Sequence, residues 1–346
     1  MKITASQTDL TALLATIGPA VSNGTSHPIL NCVRLAATKG KLTASAFNLD
    51  LGITSSCAAL VDTDGEVCLP YRMLAAIVAR IDDDQTVTIA ADGTLTSVSG
   101  SYGMPPQAAE DFPDLPMVKG KAASLALGSA VKAVLGAAST DAAKGLLNGV
   151  NAAAGHLSAT DGHRMMRVAV DLPDGLDVTL PAATAKLLAD QTASITTDKA
   201  HAVITLEDGT IIHSRIMDGT YPNVAQLIPS EFKQIFTANR IRLQRALERV
   251  AIVAEAHNDV VKLAAANGEL LITAEADGRN GRELIAIEGD AEGSWAFNVH
   301  YLLDGIKAFR SAQAVMICAN TATTPVVLKC DSMDATYLVM PVQIKG

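Results

Sequence analysis

Asp161, His163 and Arg164 fall within four positions of one another in the run Ala159-Thr160-Asp161-Gly162-His163-Arg164-Met165. A carboxylate, an imidazole and a guanidinium this close could serve as base, acid and anion clamp of a small-molecule enzyme. The other reading is a charged turn at the mouth of a surface groove. Asp-Gly favours a tight turn, and strand-like residues flank it, Gly155-His156-Leu157-Ser158 before and Arg167-Val168-Ala169-Val170 after. The run is too polar for a core strand. No nucleophile motif, HExxH or second carboxylate–histidine cluster elsewhere completes an active site. We therefore expect no catalytic residue and no cofactor, with the enzyme as the alternative.

The elements that hold this run in place repeat along the chain. Three strand signals open on a glycine: Gly40-Lys41-Leu42-Thr43, Gly155-His156-Leu157-Ser158 and Gly268-Glu269-Leu270-Leu271. Their glycines stand 115 and 113 residues apart, a domain-sized period. Each unit also carries a strand that runs into a helix. Val67–Pro70 leads to Tyr71–Arg80, Val178–Pro181 to Ala182–Asp190, and Trp295–Asn298 to Val299–Phe309. Pro70 and Pro181 suit a first helical turn, and Asn298 suits an N-cap. An earlier helix opens each unit, near Thr8–Ile17, Gly128–Ala138 and Ile241–Glu255, with apolar residues at helical spacing. Asp92-Gly93 and Asp208-Gly209 turn strand pairs. Each third thus reads as two helices plus antiparallel strands, an α+β domain. The joints fall in Phe112–Lys119 and Tyr221–Glu231, giving domains 1–117, 118–237 and 238–346.

Composition agrees with several packed cores. The chain has 346 residues, 49% of them hydrophobic and only 3% aromatic, so Ala, Val, Leu and Ile must build those cores. No apolar run reaches membrane-spanning length and Met1-Lys2-Ile3-Thr4 opens no signal peptide. A cytoplasmic protein with no membrane partner is expected. Five cysteines without CxxC spacing read as buried thiols, and seven scattered histidines offer no metal site. The net charge of −9 opposes nucleic-acid binding on its face. A protein acidic over most of its surface and basic along one face would escape that argument, because placement outweighs the total.

The Ala-Thr-Asp-Gly-His-Arg run resembles the signature of the bacterial sliding clamp, the beta subunit of DNA polymerase III. Further matches follow in order: His27-Pro28-Ile29-Leu30-Asn31, Asp111-Phe112-Pro113-Asp114-Leu115, Leu146-Leu147-Asn148-Gly149 and Asp218-Gly219-Thr220-Tyr221-Pro222. Phe297-Asn298-Val299-His300-Tyr301-Leu302-Leu303-Asp304 and Tyr337-Leu338-Val339-Met340-Pro341-Val342 complete the set. Each is weak alone, but their order spans the chain.

The resemblance implies three repeated clamp domains and a head-to-tail homodimer closed into a six-domain ring. It implies a processivity factor without catalysis, whose partners are duplex DNA, the DNA polymerase III catalytic subunit, the clamp loader and other clamp-motif proteins. A clamp-like module that no longer encircles DNA is a further alternative. DNA contacts carried over to the helices are Arg72, Arg80, Lys132, Lys186, Arg242, Arg245, Arg249, Lys307 and Arg310. Sliding requires phosphate contacts only, since base contacts would pin the ring to a sequence. The peptide groove carried over is Leu147, Thr160, Gly162, His163, Arg164, Met165, Pro222, Leu227, Thr323, Pro325, Leu338, Met340, Pro341 and Val342. A tail, Gln343-Ile344-Lys345-Gly346, extends past it and is expected to cover part of it. At the dimer seam, Tyr102 and Met104 of an edge strand Ser99–Met104 would meet the other chain's Ile252 and Val253. The chain departs from the family at Gly24, at Ala182-Ala183 and in the loop Asp141–Gly145, where basic, glutamine or tyrosine residues are usual. Its bore is accordingly less basic.

Overall fold

The computed structural model describes residues 1–24, 27–255 and 258–343. Helices pack on antiparallel sheets in two compact units, one of residues 1–124 with 192–216, the other of 125–191 with 217 onward.

In the first unit one sheet has the order Leu60–Thr63, Lys2–Ser6, Thr86–Ala90, Thr94–Thr96, Ser101–Gly103. A second run of strands is Thr192–Thr197, His201–Leu206, Ile211–Arg215, Leu51–Ala58, Lys41–Phe47, Cys32–Thr38, Gly65–Pro70. Helix α1 (Gln7–Ile17) begins where the Ser6 hydroxyl accepts the Asp9 amide at 3.1 Å. Its Leu10, Leu13, Leu14 and Ile17 are buried, each such side chain contributing roughly 1.5–3 kcal/mol by leaving water. Helix α2 (Tyr71–Val78) packs on α1, and the Tyr71 hydroxyl donates to the Leu14 carbonyl at 3.1 Å. Gly18 permits that contact: a Cβ there would lie 2.3 Å from the Tyr71 hydroxyl oxygen.

In the second unit a sheet runs, among the described residues, Asp177–Pro181, Gly149–Ala153, His156–Thr160, Arg164–Ala169, Ala335–Val339, Val326–Lys329, Ala314–Ala319, Gln234–Asn239, Arg279–Glu288, Glu269–Ala276, Val260–Ala266, Gly293–Asn298. Helices α3 (Ala130–Leu135) and α4 (Ala182–Leu187) pack together, as do α5 (Arg240–Ala254) and α6 (Val299–Ala308). α3 is shorter than its apolar spacing suggests, because Gly128 enters at φ +50 and Gly136 ends it. α4 stops early too, and Asp190 beyond it takes φ +61. Asn298 caps α6 through the His300 and Tyr301 amides, as its position implied.

The glycine period has a structural counterpart. Lys39-Gly40 (φ +49, +78), Ala154-Gly155 (+49, +71) and Asn267-Gly268 (+53, +75) each place two residues at positive φ between paired strands. That is the signature of the type I′ hairpin turn, whose twist matches the strands it joins. Pairing also reaches across the joints expected near 117 and 237. Ile211 lies opposite Thr54 in the first unit, and Met165 opposite Leu338 in the second.

Cys32, Cys68 and Cys318 are buried thiols, whereas Cys57 and Cys330 are only half-buried; all five are free. Among the described residues no helix is long and apolar enough to cross a membrane.

Candidate functional site

The Asp161 turn is built from its own side chains. The Asp161 Oδ1 accepts the His163 amide at 2.9 Å and the Arg164 amide at 3.0 Å, and Oδ2 accepts Arg164 Nε at 3.0 Å. Thr160 Oγ1 donates to the Arg164 carbonyl at 2.6 Å and accepts the Gly162 amide at 3.1 Å. Lys144 Nζ reaches the Asp161 carbonyl at 2.7 Å, fastening the Ala142–Asn148 segment to the turn. Gly162, at φ +89, closes it where a side chain would be strained.

This geometry overturns the enzyme alternative. Asp161 is only 8% exposed, and both carboxylate oxygens already accept hydrogen bonds within the turn, which gives it a structural task. The His163 ring does not bond to it; it stacks on Tyr301 at 6.0 Å between centroids and 18° between planes. Arg164 lies 4.5 Å over the same ring and is neutralised by two carboxylates, Asp161 and Asp304. A guanidinium so engaged clamps no anion. The three residues shape a surface.

That surface borders an apolar cluster. Met165, Val224, Cys318, Val327 and Leu338 are buried together, and Tyr221, Ile228 and Phe232 pack half-buried against them. The Tyr221 hydroxyl accepts the Thr160 amide at 3.1 Å, and burial pushes its pKa up to about 12. The Met340 amide donates to the His163 carbonyl at 2.9 Å, which lays the 340–342 segment beside the turn. Leu227, Met340 and Val342, close in sequence to Val224 and Leu338, are 55%, 38% and 37% exposed. Gly162, His163, Pro222 and Thr323 are exposed, Leu147, Arg164, Pro325 and Pro341 half-buried, and Thr160, Met165 and Leu338 core. Gln343 is exposed; the rest of the expected tail lies outside the described residues. Reasoning from sequence missed Tyr221, Val224, Ile228, Phe232 and Tyr301 at this site. For Tyr221, Val224 and Ile228 the available signal was an apolar type along the joint Tyr221–Glu231, since a free linker has no use for one.

The basic residues are all exposed, yet several are spoken for. Lys132 pairs with Asp190, Lys307 with Glu248 at 3.5 Å, and Arg249 with Glu283 in a two-point contact at 2.6 and 2.7 Å. Arg72 donates to Asn23 and Arg80 to the Ala76 carbonyl, both at 2.7 Å. Among the described residues Lys186, Arg242, Arg245 and Arg310 form no ion pair. Lys132, Lys307 and Arg310 line a cleft of about 390 Å³ with Asp190 and Asp304.

At the expected seam the strand is Ser101–Gly103, shorter than Ser99–Met104, and it lies at a sheet edge. Tyr102 is 39% exposed, but Met104 is 3% exposed and therefore core. Its amide donates to the Gly93 carbonyl at 2.9 Å, continuing the hairpin and turning the side chain inward. Ile252 stands 70% exposed on α5, whereas Val253 folds back beside Gly281, where a Cβ would meet it at 3.2 Å.

Residues 1–116 match the model of the DNA polymerase III beta subunit N-terminal domain, and residues 225–343 that of its C-terminal domain. The chain is 35% identical to the beta sliding clamp of Synechococcus elongatus, over 100% of both chains. The Bacillus subtilis DNA polymerase sliding clamp superposes with a TM-score of 0.90 at 22% identity, over 100% of both chains. A Bartonella birtlesii sliding clamp solved with griselimycin gives 0.91 at 22%, over 99% of this chain and 100% of that one. At that identity the two structures speak for the fold alone.

Proposed function

The chain belongs to the beta sliding clamp family, the non-catalytic beta subunit of DNA polymerase III, and from that premise we propose how its surfaces work. Three domains, 1–117, 118–237 and 238–346, pair head-to-tail with a second copy to form a closed ring around duplex DNA in the cytoplasm. Each carries one helix pair, α1–α2, α3–α4 and α5–α6. The ring replaces a weak contact with a topological one, so a tethered polymerase stays at high local concentration.

The observation that carries the tethering role is the buried apolar cluster of Met165, Val224 and Leu338 together with exposed Leu227 and Met340, two or three residues along the chain from Val224 and Leu338. A short apolar segment of the polymerase, the clamp loader or another clamp-binding protein docks there, with methionines adapting to different peptides. Phosphates meet the cations Arg72, Lys132, Lys186, Arg242, Arg245, Arg249 and Lys307 on the helices, with Arg80 and Arg310 two residues beyond the ends of α2 and α6. The free ones, Lys186, Arg242, Arg245 and Arg310, make the first contacts. Tyr102 and Ile252 carry the seam between chains.

The test is retention on DNA. Loaded by a clamp loader onto nicked circular plasmid, the protein should remain bound through gel filtration and run off once the plasmid is linearised. Equal loss from circle and line would leave only a clamp-like module that does not encircle DNA.

A further inference from the structure

Tyr221 and Val224 border two spaces: the apolar cluster around Met165 and a second cleft of about 180 Å³. The second space mixes apolar walls with polar groups. Asn151, Ser158, Arg167, Asp177 and Asn223 line it beside Tyr221. Arg167 follows Met165 by two positions on one strand, so both point to the same face of the sheet, about 7 Å apart along it. The cleft is thus a continuation of the groove, reached by a bound chain two or three residues past its apolar anchor.

Two of its groups have hydrogen-bonding capacity in reserve. Ser158 is 6% exposed, and its hydroxyl makes no hydrogen bond among the described residues although it faces the cleft. Arg167 forms no ion pair among the described residues. Its Nη2 lies 3.0 Å from His156 Nδ1, but the same nitrogen lies 2.7 Å from the Ala154 carbonyl. A proton on Nδ1 satisfies that carbonyl and leaves no lone pair for the guanidinium. Asp177, the one acid on the cleft wall, is held by the Asn151 amide at 3.2 Å and does not reach Arg167. A half-buried guanidinium with no carboxylate partner, beside a hydroxyl with no hydrogen bond among the described residues, leaves donors to offer a charged acceptor in the cleft.

We propose that this cleft takes the side-chain carboxylate of an acidic residue flanking the apolar anchor of a docked partner peptide. The carboxylate accepts from Arg167 and from the Ser158 hydroxyl, a charge-assisted pairing that a neutral residue cannot make. An acidic residue at that spacing becomes a selection rule among peptides that share the same apolar anchor. The inference rests on the groove reading above.

Labelled, C-terminally amidated ten-residue peptides test it. Each carries a pair of leucines and either Glu or Gln two, three or four residues away. On the unaltered protein one Glu peptide should bind about tenfold more tightly than its Gln twin, the gain of one charge-assisted hydrogen bond. Arg167→Gln and Ser158→Ala should reduce that ratio, the former to near one, without weakening the Gln peptide. Arg167→Lys should keep part of it. A ratio of one on the unaltered protein, or one that survives Arg167→Gln, overturns the proposal. Binding of the Gln peptide that depends on Met340 would in that case leave the groove standing, while no Leu-dependent binding at all would remove both.

Discussion

The Arg164 guanidinium is paired on one side with Asp161, three residues before it, and on the other with Asp304 of α6, 140 residues away. One side chain thereby ties the turn that borders the groove to a helix whose Lys307 lines the basic cleft. Arg164 is 12% exposed and Asp304 41%, so the two ends of this pair differ in what their removal costs. Arg164→Ala leaves a carboxylate short of its partner in a desolvated setting and should cost about 3 kcal/mol. Asp304→Ala should cost about 1 kcal/mol, its exposed carboxylate being screened by water. Urea unfolding of both variants checks the order; equal costs would show that the pair is not what holds the turn to α6.

Of the four residues proposed for the seam, Tyr102 and Ile252 present exposed apolar surface. Ile252→Asp alone should give soluble, folded monomers, because Ile252 touches solvent in the single chain and costs nothing there. Val253→Asp should lower the melting temperature as well, since Val253 packs beside Gly281. Sedimentation at micromolar concentration reads the mass, and an intact Ile252→Asp dimer would take this residue out of the interface.

Direct DNA affinity without a loader should be weak and fall with salt. Arg242→Ala with Arg245→Ala should flatten the slope of log K against log salt by up to about 0.9 per lost phosphate contact. Arg249→Ala should change it less, because Glu283 already holds that guanidinium. Slopes that ignore Arg242 and Arg245 but respond to Arg249 would contradict this ranking of the face.

Trimming the chain from Met340 onward removes the hydrogen bonds of the Met340 amide to the His163 carbonyl and of the Val342 amide to the Ala296 carbonyl, with two exposed apolar side chains, but no core strand. Hot-spot side chains commonly carry about 2 kcal/mol or more, so binding of a partner peptide should weaken roughly tenfold or more. Thermal unfolding should stay close to that of the full chain. Unchanged peptide affinity would place the partner site elsewhere.

His213 supplies a pH dependence. It is 7% exposed, its Nδ1–H donates to the Pro116 carbonyl at 2.9 Å, and burial pushes its pKa down from the ordinary 6.5 despite that bond. The unfolded chain therefore binds the proton more readily than the folded one. Stability from this group is complete above pH 6.5 and is lost as pH falls from there through the depressed folded value. Melting temperature should drop between pH 7 and 5 by less in His213→Asn than in the unaltered protein. Parallel curves would assign the acid sensitivity to other groups.

The features legible in the sequence are those set within a few neighbouring residues. Asn298 caps its helix because an amide side chain can reach the amides two and three positions on. The Gly40, Gly155 and Gly268 turns were readable because a hairpin of that twist needs positive φ, which glycine adopts freely. The Asp161 turn belongs to the same class, its bonds running two to four residues. Short-range geometry also carried the family's motifs, and with them the fold class. What only the tertiary structure decided depends on groups far apart in the chain. Asp304 neutralises Arg164, Glu283 occupies Arg249, and Tyr221 walls the groove through the Thr160 amide, across separations that no local pattern encodes. Met104, expected on the seam, is core, whereas Leu227, expected in the groove, is exposed. Alternation along a strand states which residues share a face. Which face meets water depends on what else packs there, and that is a property of the folded chain.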